Sequence, residues 1–280
     1  MTSQPFSQRP WSTPPALTAS IGLHVAAAGT VALAPDAWPW ALAGVALNHV
    51  GLTAAGLWPR SHLLGPNLTR LPEAAAQRRQ FALTLDDGPD PEVTPRVLDL
   101  LDQHSVRATF FCIAQRALAQ PALLRNIVAR GHDVQNHSHA HRHTFSLLGP
   151  RALAREIDAA QQVLADLSGQ RPHCFRAPAG LRNPFLDPVL HRLRLRLVSW
   201  TRRGFDTVSA DASRVLARLT HAMAAGDIVL LHDGHARRSG AGQPVVLEVL
   251  PTLLTHVARL GLRAVTLREA VPPRDGEGLA

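Results

Sequence analysis

Residues 81–89 read Phe-Ala-Leu-Thr-Leu-Asp-Asp-Gly-Pro, a short apolar run followed by two carboxylates and a Gly-Pro turn. The segment Phe81 to Leu85 predicts a buried strand, because short apolar runs bounded by turn residues are typical of one. The adjacent side chains of Asp86 and Asp87 repel each other at its end unless a cation or a shared proton relieves them. A solvated turn is the plainer interpretation, since Asp-Gly and Gly-Pro are common turn dipeptides.

Outward from this segment, short apolar runs alternate with segments of helical period. The pattern predicts strands at 81–85, 106–112, 133–135, 174–176, 196–200, 227–231 and 263–265, and helices at 93–104, 122–130, 151–167, 212–225 and 246–260. Six or more βα units predict an α/β fold with a parallel sheet, either a barrel or a doubly wound sheet. In both folds the active site lies at the C-terminal ends of the strands.

A histidine-rich segment, His137-Ser-His-Ala-His-Arg-His143, follows the third predicted strand. Imidazoles four residues apart share one face of a helical turn and can bind one metal ion of zinc type. His137 pairs with His141 in this way, and His139 pairs with His143, so spacing alone does not choose between the pairs. An exposed histidine-rich loop is the alternative interpretation.

Three further strand ends carry polar side chains that suit a functional site. Arg176 ends one predicted strand and precedes a Pro-Gly turn, Asp206 follows another, and His232 ends a third. Each position is weak as a signal when it is taken alone. Together with the paired aspartates and the histidine segment, they place reactive side chains at five strand ends, which favours one site at this edge of the sheet.

These motifs resemble those of the polysaccharide deacetylase family, the NodB-homology domain of carbohydrate esterase family 4. The resemblance covers about residues 78–270 and is carried by Leu-Asp-Asp-Gly-Pro at 85–89, Asn-His-Ser-His-Ala-His at 136–141, Arg-Ala-Pro-Ala-Gly at 176–180 and Ile-Val-Leu-Leu-His-Asp at 228–233. It implies a distorted (β/α) barrel of the NodB-homology type. It also implies metal-dependent hydrolysis of an N-acyl group on a sugar.

The resemblance implies that Asp87, His137 and His141 bind one divalent metal ion. Zn²⁺ is the expected ion, with Co²⁺, Mn²⁺ or Ni²⁺ as alternatives. The choice of His137 and His141 comes from the family motif and leaves His139 and His143 as extra residues, which we expect at the surface.

The resemblance also implies the catalytic roles of four residues. Asp86 would be the general base, paired with and oriented by Arg176. His232 would protonate the leaving amine, and Asp206 would orient it and keep it cationic.

Two more residues are assigned to the substrate pocket by the resemblance. The backbone N–H of Ala179 would stabilise the oxyanion, and Leu230 would line the pocket for the acyl methyl group. The sequence departs from the family at Ala179, where many members have an aromatic residue. It also departs at the fourth motif, Arg-Arg-Gly-Phe-Asp206-Thr207, where many members have Asp-x-x-Asp-Trp.

Residues 1–70 differ in composition from the rest of the chain. They contain one acidic residue and three arginines, whereas residues 71–280 contain 20 acidic residues and 26 arginines. This shift predicts an N-terminal helical hairpin region at 1–70 and a catalytic domain at 71–280. Two apolar stretches, about 16–34 and 40–57, are each long enough to cross a bilayer.

The arginines around the hairpin indicate its orientation. Arg9 precedes the two stretches, four arginines follow them at positions 60, 70, 78 and 79, and the linker 35–39 has no positive charge. The positive-inside rule then predicts a bacterial inner-membrane protein whose catalytic domain faces the cytoplasm. In one alternative, Ala32-Leu33-Ala34 is a signal-peptidase site and the domain is periplasmic. In another, both stretches are buried helices of a soluble protein.

The composition excludes several classes of protein. A chain of 280 residues with 46% apolar residues is not a disordered one. All 29 basic residues are arginine and the net charge is +8, but they are scattered and the chain has few aromatics, so nucleic acid is not an expected partner. Cys112 and Cys174 are predicted to be buried free thiols.

The sequence therefore predicts a membrane-anchored, metal-dependent hydrolase of an N-acylated, most simply N-acetylated, amino sugar. The substrate would belong to an envelope polysaccharide or a lipid-linked glycan, and the hairpin would contact membrane lipid. One alternative is removal of a formyl group from a polyprenyl-linked amino sugar. Another is a glycan-binding module that keeps the fold without turnover.

Overall fold

A parallel sheet of eight strands forms the centre of the computed structural model, which describes residues 11–273. The strands are β1 (Gln80–Asp86), β2 (Thr109–Cys112), β3 (Asp133–Asn136), β4 (Cys174–Phe175), β5 (Arg196–Leu197), β6 (Arg202–Arg203), β7 (Ile228–His232) and β8 (Arg263–Ala264). Their order is β5-β4-β3-β2-β1-β7-β6, and β8 pairs with the start of β1. The curled parallel sheet confirms the predicted α/β class and distorted (β/α) barrel.

Eleven α-helices lie within the described residues. They are α1 (Pro15–Leu33), α2 (Trp38–Leu57), α3 (Glu73–Gln77), α4 (Val93–Gln103), α5 (Ala114–Ala119), α6 (Pro121–Ala129), α7 (Pro150–Ser168), α8 (Leu186–Arg192), α9 (Ala212–Thr220), α10 (Val245–Arg259) and α11 (Leu267–Ala270). The amphipathic helices α4, α6, α9 and α10 pack apolar side chains with strands β1, β2 and β7 in the largest core cluster. Every residue of β1 is buried, as expected of the central strand of a parallel sheet.

The sequence pattern and the structure differ in a few elements. The predicted helix 212–225 is wrong over its last turn, because α9 ends at Thr220 and Ala222 adopts a positive φ of 49°. The predicted strands 106–112 and 196–200 are shorter in the structure. Helices α3, α5, α8 and α11 have seven residues or fewer, too short to show a helical period, and the sequence did not predict them.

Helices α1 and α2 form the N-terminal hairpin, joined by a short 3₁₀ turn. Both are long and apolar enough to cross a membrane by length and composition. Few of their residues are buried, which argues against helices buried in a soluble core. The polar residues contact each other across the hairpin, with His24 Nε2 3.2 Å from His49 Nε2 and Asn48 donating to Ser20 Oγ at 2.8 Å. Arg9 of the topology prediction lies outside the described residues.

The end of the hairpin packs against the barrel. The N–H of Arg182 donates to the carbonyl of Gly56 at 3.1 Å, and Ser199 Oγ donates to the carbonyl of Pro59 at 2.6 Å. A Cβ at Gly180 would lie 2.7 Å from Pro59 Cβ and 2.6 Å from the Trp200 ring. The chain that leaves α2 therefore rests directly on the turn after β4, at the C-terminal edge of the sheet.

Cys112 and Cys174 are both free and buried, as the sequence predicted. Burial raises the pKa of each thiol, so both behave as small apolar residues of the core.

Candidate active site

The C-terminal ends of the strands bring the predicted site residues to one cavity of about 740 Å³. Strand register explains much of this, because Asp86 at the end of β1 is paired with His232 at the end of β7. Seven of the nine predicted residues line the cavity, namely Asp86, Asp87, His137, His141, Ala179, Leu230 and His232. Arg176 and Asp206 lie behind this lining, fully buried, and contact Asp86 and His232 respectively.

One carboxylate oxygen and two imidazole nitrogens converge at the floor of the cavity. Asp87 Oδ1 lies 3.2 Å from His137 Nε2 and 3.3 Å from His141 Nε2. Among residues 11–273, these three form the single group whose geometry could hold a metal ion. Neither His139 nor His143 belongs to it, so the structure brings together the pair that the family motif indicated.

A hydrogen bond of His137 decides which of its ring nitrogens faces Asp87. Its Nδ1 lies 2.8 Å from the carbonyl of Arg176, which can only accept, so Nδ1 carries the proton. In the neutral ring Nε2 then presents a lone pair to Asp87 Oδ1, a buried atom with no hydrogen-bond partner among the described residues. Lone pairs facing each other in a buried cleft require a proton or a cation between them.

The pKa values follow the same electrostatics. Burial disfavours the charged ring of His137, but the carboxylates of Asp86 and Asp87 outweigh it and raise its pKa. Burial and the neighbouring His137 lower the pKa of His141 to about 4. Burial opposes ionisation of Asp87, but the neighbouring rings of His137 and His235 outweigh it and hold its pKa far below the usual value. A bound metal ion would displace the proton from His137 Nε2, and one carboxylate with two neutral imidazoles is the donor set that Zn²⁺ accepts, so these residues fit a divalent ion.

Asp86 is held next to this group by a buried arginine. Arg176 Nη1 donates to Asp86 Oδ1 at 2.5 Å and to Thr84 Oγ1 at 2.9 Å, while Nη2 and Nε donate to the carbonyls of Ser199 and Val198. These bonds fix the guanidinium and leave Asp86 Oδ2 directed at the cleft, 3.8 Å from His137 Nε2. Asp86 is thus a carboxylate with one oxygen bound and the other facing the reaction space.

His232 is fixed by two bonds to one buried carboxylate. Asp206 Oδ1 accepts from the ring Nδ1 at 2.9 Å, and Asp206 Oδ2 accepts from the His232 backbone N–H at 2.8 Å. This arrangement leaves Nε2 as the ring nitrogen available to the cavity. Burial disfavours the charged ring, but Asp206 outweighs it and raises the pKa of His232 to about 9.

The remaining predicted residues line the walls of the cavity. Ala179 sits in a 3₁₀ turn, Pro178–Gly180, with φ of +54°, and Leu230 is a buried residue of β7. His143 lines the cavity and is exposed, as predicted. His139 was also expected at the surface, but it is half-buried and its Nδ1 has no hydrogen-bond partner among the described residues.

Two residues that the sequence analysis did not single out act on Asp87. Arg116 Nη1 donates to the Asp87 carbonyl at 2.9 Å, and Arg116 Nη2 lies 2.6 Å from His235 Nε2. Arginine only donates, so His235 Nε2 is the acceptor and His235 Nδ1 carries the proton that it donates to Asp87 Oδ2 at 3.1 Å. The signal was present in the sequence, since His235 stands three residues after His232, the last residue of β7.

The local backbone explains the glycines of these motifs. A Cβ at Gly88 would lie 2.1 Å from Asp233 Oδ2, and one at Gly234 would lie 2.4 Å from the carbonyl of Asp87. Thr94 Oγ1 donates to the same Asp233 oxygen at 2.5 Å. The loops after β1 and β7 therefore pack too closely for a side chain at either glycine, and this contact sets the position of Asp87.

Comparisons with known proteins agree with this geometry. A family profile described as polysaccharide deacetylase matches residues 73–198. The chain is 37% identical over 158 residues to a chitooligosaccharide deacetylase of Bradyrhizobium sp. (strain ANU 289), which covers 56% of this chain and 72% of that protein. It is 30% identical over 206 residues to a peptidoglycan-N-acetylglucosamine deacetylase of Listeria monocytogenes, 73% of this chain but only 42% of that protein.

A solved structure shows the same fold. The family 4 carbohydrate esterase from Streptomyces lividans, in complex with acetate, superposes with a TM-score of 0.61 and 30% identity. The match covers 72% of this chain and 97% of that chain.

Replacement of His235 by alanine should weaken metal binding. The change removes the hydrogen bond to Asp87 Oδ2, and loss of such a partner typically costs about 10- to 100-fold in metal affinity. Competition with a chromophoric zinc chelator measures the affinity of the purified chain. His143→Ala is the matched control, because His143 also lines the cavity but is not one of the three converging residues. Equal affinities of His235→Ala and the parent chain would contradict the role given to His235.

Proposed function

The chain belongs to the polysaccharide deacetylase family, hydrolases of amide bonds, and we propose that it removes the N-acetyl group from an amino sugar of an envelope polysaccharide or a lipid-linked glycan. The observation that carries the proposal is the convergence of Asp87 Oδ1 with His137 and His141, flanked by the Asp86–Arg176 and His232–Asp206 pairs. The relatives support the substrate class, since those reported above are named for chitooligosaccharide and peptidoglycan N-acetylglucosamine.

Asp87, His137 and His141 would hold the metal ion. A divalent ion bound there, Zn²⁺ or alternatively Co²⁺, Mn²⁺ or Ni²⁺, supplies Lewis acidity that polarises the amide carbonyl and lowers the pKa of a bound water to about 7.

Asp86 takes the proton of the attacking water as general base. Its Oδ1 is occupied by Arg176, so Oδ2, which faces the metal ligands, is the oxygen that accepts the proton. Arg176 acts through Asp86 as a positioning residue.

His232 gives a proton to the leaving amine as the C–N bond breaks. The pKa of about 9 keeps the ring protonated at neutral pH, so the acid is present at the start of the reaction. Asp206 holds the ring by Nδ1 and leaves Nε2 as the donor. The products are acetate and the free amino sugar.

Ala179 and Leu230 complete the acyl pocket. We assign the backbone N–H of Ala179 to the oxyanion, because the turn that contains it lines the cavity. Leu230 supplies an apolar part of the cavity wall, where an acetyl methyl group can be buried. A formyl group lacks that methyl, which favours acetyl over formyl as the group removed.

The hairpin supports a membrane location. The two helices expose apolar side chains, which need an apolar environment. The interior of a membrane provides one. The arginine pattern favours a catalytic domain on the cytoplasmic face. Two of these arginines also bind the barrel, Arg70 to the carbonyl of Ala225 and Arg79 to that of Gly261, so their positions serve the fold as well as the topology.

Acetate release from small N-acetylated oligosaccharides tests the activity. We expect His137→Ala to lose both bound zinc and acetate release, because a ligand is removed. Asp86→Asn should retain zinc but lose about 10²- to 10⁴-fold in kcat, because only the base is removed. His139→Ala, outside the group of three, is the control and should retain both.

Full acetate release by His137→Ala would overturn this proposal. Mass spectrometry of the products identifies the acyl group removed. Glycan binding by the parent chain without any turnover would favour the non-catalytic alternative.

The pH profile of kcat/KM tests the acid. Deprotonation of His232 removes the proton donor, so activity should fall as pH rises through the pKa of about 9. Asp206→Asn removes the charge that raises this pKa, and the alkaline limb should move towards about pH 6.5, the ordinary range of histidine. An alkaline limb that stays in place in Asp206→Asn would show that another group sets it.

Reporter fusions after Arg70 test the side of the membrane. A cytoplasmic reporter should be active and a periplasmic reporter inactive, because the arginines flanking the hairpin favour retention inside. The reverse pattern would contradict the cytoplasmic location and favour the cleaved signal peptide.

A further inference from the structure

Arg203, at the end of β6, lines the same cavity as the metal ligands. Its guanidinium carbon lies 5.1 Å from the centre of the Trp200 ring and 4.8 Å from that of Phe205. The two rings hold the side chain in place without neutralising its charge. The result is a fixed cation in the wall of the cleft.

This cation has no anionic partner among residues 11–273. No hydrogen bond or ion pair of its side chain is found there, and its Nε is buried without a partner. The preceding residue, Arg202, differs, because it pairs with the buried carboxylate of Asp227 and donates to two backbone carbonyls. The fold therefore satisfies one arginine of this strand and leaves the one in the cleft unsatisfied.

The surroundings of Arg203 add positive charge. Arg116 and Arg142 also line the cavity; Arg116 donates to Asp87 and His235, and Arg142 lies 4.0 Å from Glu156. A divalent ion on the Asp87 group would offset the two negative charges of Asp86 and Asp87, which line the same cavity. A half-buried cation without an anionic partner costs free energy, which an anionic ligand would offset.

The motif spacing points the same way. Asp206 matches the second aspartate of the Asp-x-x-Asp-Trp motif, so Arg203 occupies the position of the first. The charge at this position of the cleft is thus the reverse of that in many family members. A reversal of charge in a substrate cleft indicates a change in the charge of the group bound there.

The position of Arg203 connects it to the hairpin. Trp200, against which Arg203 packs, also meets the Gly180 turn, and that turn rests on Pro59 directly after α2. The cation therefore lies on the side of the cleft next to the segment that leaves the apolar hairpin.

We propose that Arg203 binds an anionic group of the substrate, a phosphate or carboxylate attached beside the N-acylated sugar, on the hairpin side of the cleft. The inference rests on the proposed function and specifies its substrate class. A guanidinium suits this role because it can form paired, charge-assisted hydrogen bonds with either oxyanion. The phosphate of a lipid-linked sugar and the carboxylate of a sugar acid share this chemistry.

Substrate selectivity of the full chain in detergent tests the inference. The substrates are N,N′-diacetylchitobiose, N-acetylglucosamine 1-phosphate and N-acetylmuramic acid, which are neutral, phosphorylated and carboxylated. We expect the parent chain to show a higher kcat/KM for at least one anionic substrate than for the neutral one. Arg203→Gln should reduce that ratio by about tenfold through KM, and Arg203→Lys should restore part of it.

Arg218→Gln is the matched control. Arg218 also packs on Phe205, at 5.3 Å from the ring centre, but does not line the cavity. Arg218→Gln removes the same charge from the same region. Because Arg218 does not line the cavity, the selectivity ratio should remain at the value of the parent chain. If Arg218→Gln lowers the selectivity ratio as much as Arg203→Gln does, the effect comes from net charge and not from a site at Arg203. That result would overturn the inference.

Calorimetric binding of the two anionic sugars separates this inference from the proposed function. The measurement uses Asp86→Asn, with and without Arg203→Gln, and needs no turnover. Weaker binding in the Arg203→Gln background supports the anion site even if no acetate is ever released. Equal binding by the two proteins, or no binding by Asp86→Asn alone, overturns the anion site. Either result leaves the proposed deacetylation of neutral glycans untouched.

Discussion

Asp87 Oδ1 and the Nε2 atoms of His137 and His141 converge within 4.8 Å in a mostly buried cleft, and the rest of the site depends on their mutual repulsion. The carbonyl of Arg176 fixes the proton of His137 on Nδ1, so the facing atoms present lone pairs. A proton or a metal cation between them relieves this repulsion. The chain holds these atoms in place by the strand ends, the glycine turns and the surrounding hydrogen bonds.

The supporting contacts come from every side of the group. Arg176, fully buried, connects β1 with the segment after β5 through Asp86 and the carbonyls of Val198 and Ser199. On the other side, Arg116 and His235 hold the backbone and the second oxygen of Asp87. Asp87 is therefore fixed at Oδ2 and at its carbonyl, while Oδ1 stays without a hydrogen bond and is free to bind a cation.

The sequence predicted the sheet and most of the site because both depend on local patterns. Apolar runs gave β1 and β7, and the polar residues at their ends fell together because parallel strands align their C-terminal ends. Spacing alone did not separate His137 and His141 from His139 and His143, because that choice depends on a backbone that turns at Ser138 and His141, both with positive φ. Arg116 and His235 were missed because their partner, Asp87, is distant in the sequence. The short helices were missed because one turn has no period.

The hairpin and the cleft meet at Pro59, Gly180 and Trp200, so the two apolar helices end at the edge of the barrel that carries the candidate site. This proximity relates the substrate proposal to the fold. The central claim is that Asp87, His137 and His141 bind one divalent metal ion. X-ray absorption at the zinc edge of the zinc-loaded chain tests that claim most directly. The account predicts a first shell of nitrogen and oxygen with the scattering pattern of two imidazoles. A sulfur ligand, or a shell without imidazole, would contradict it.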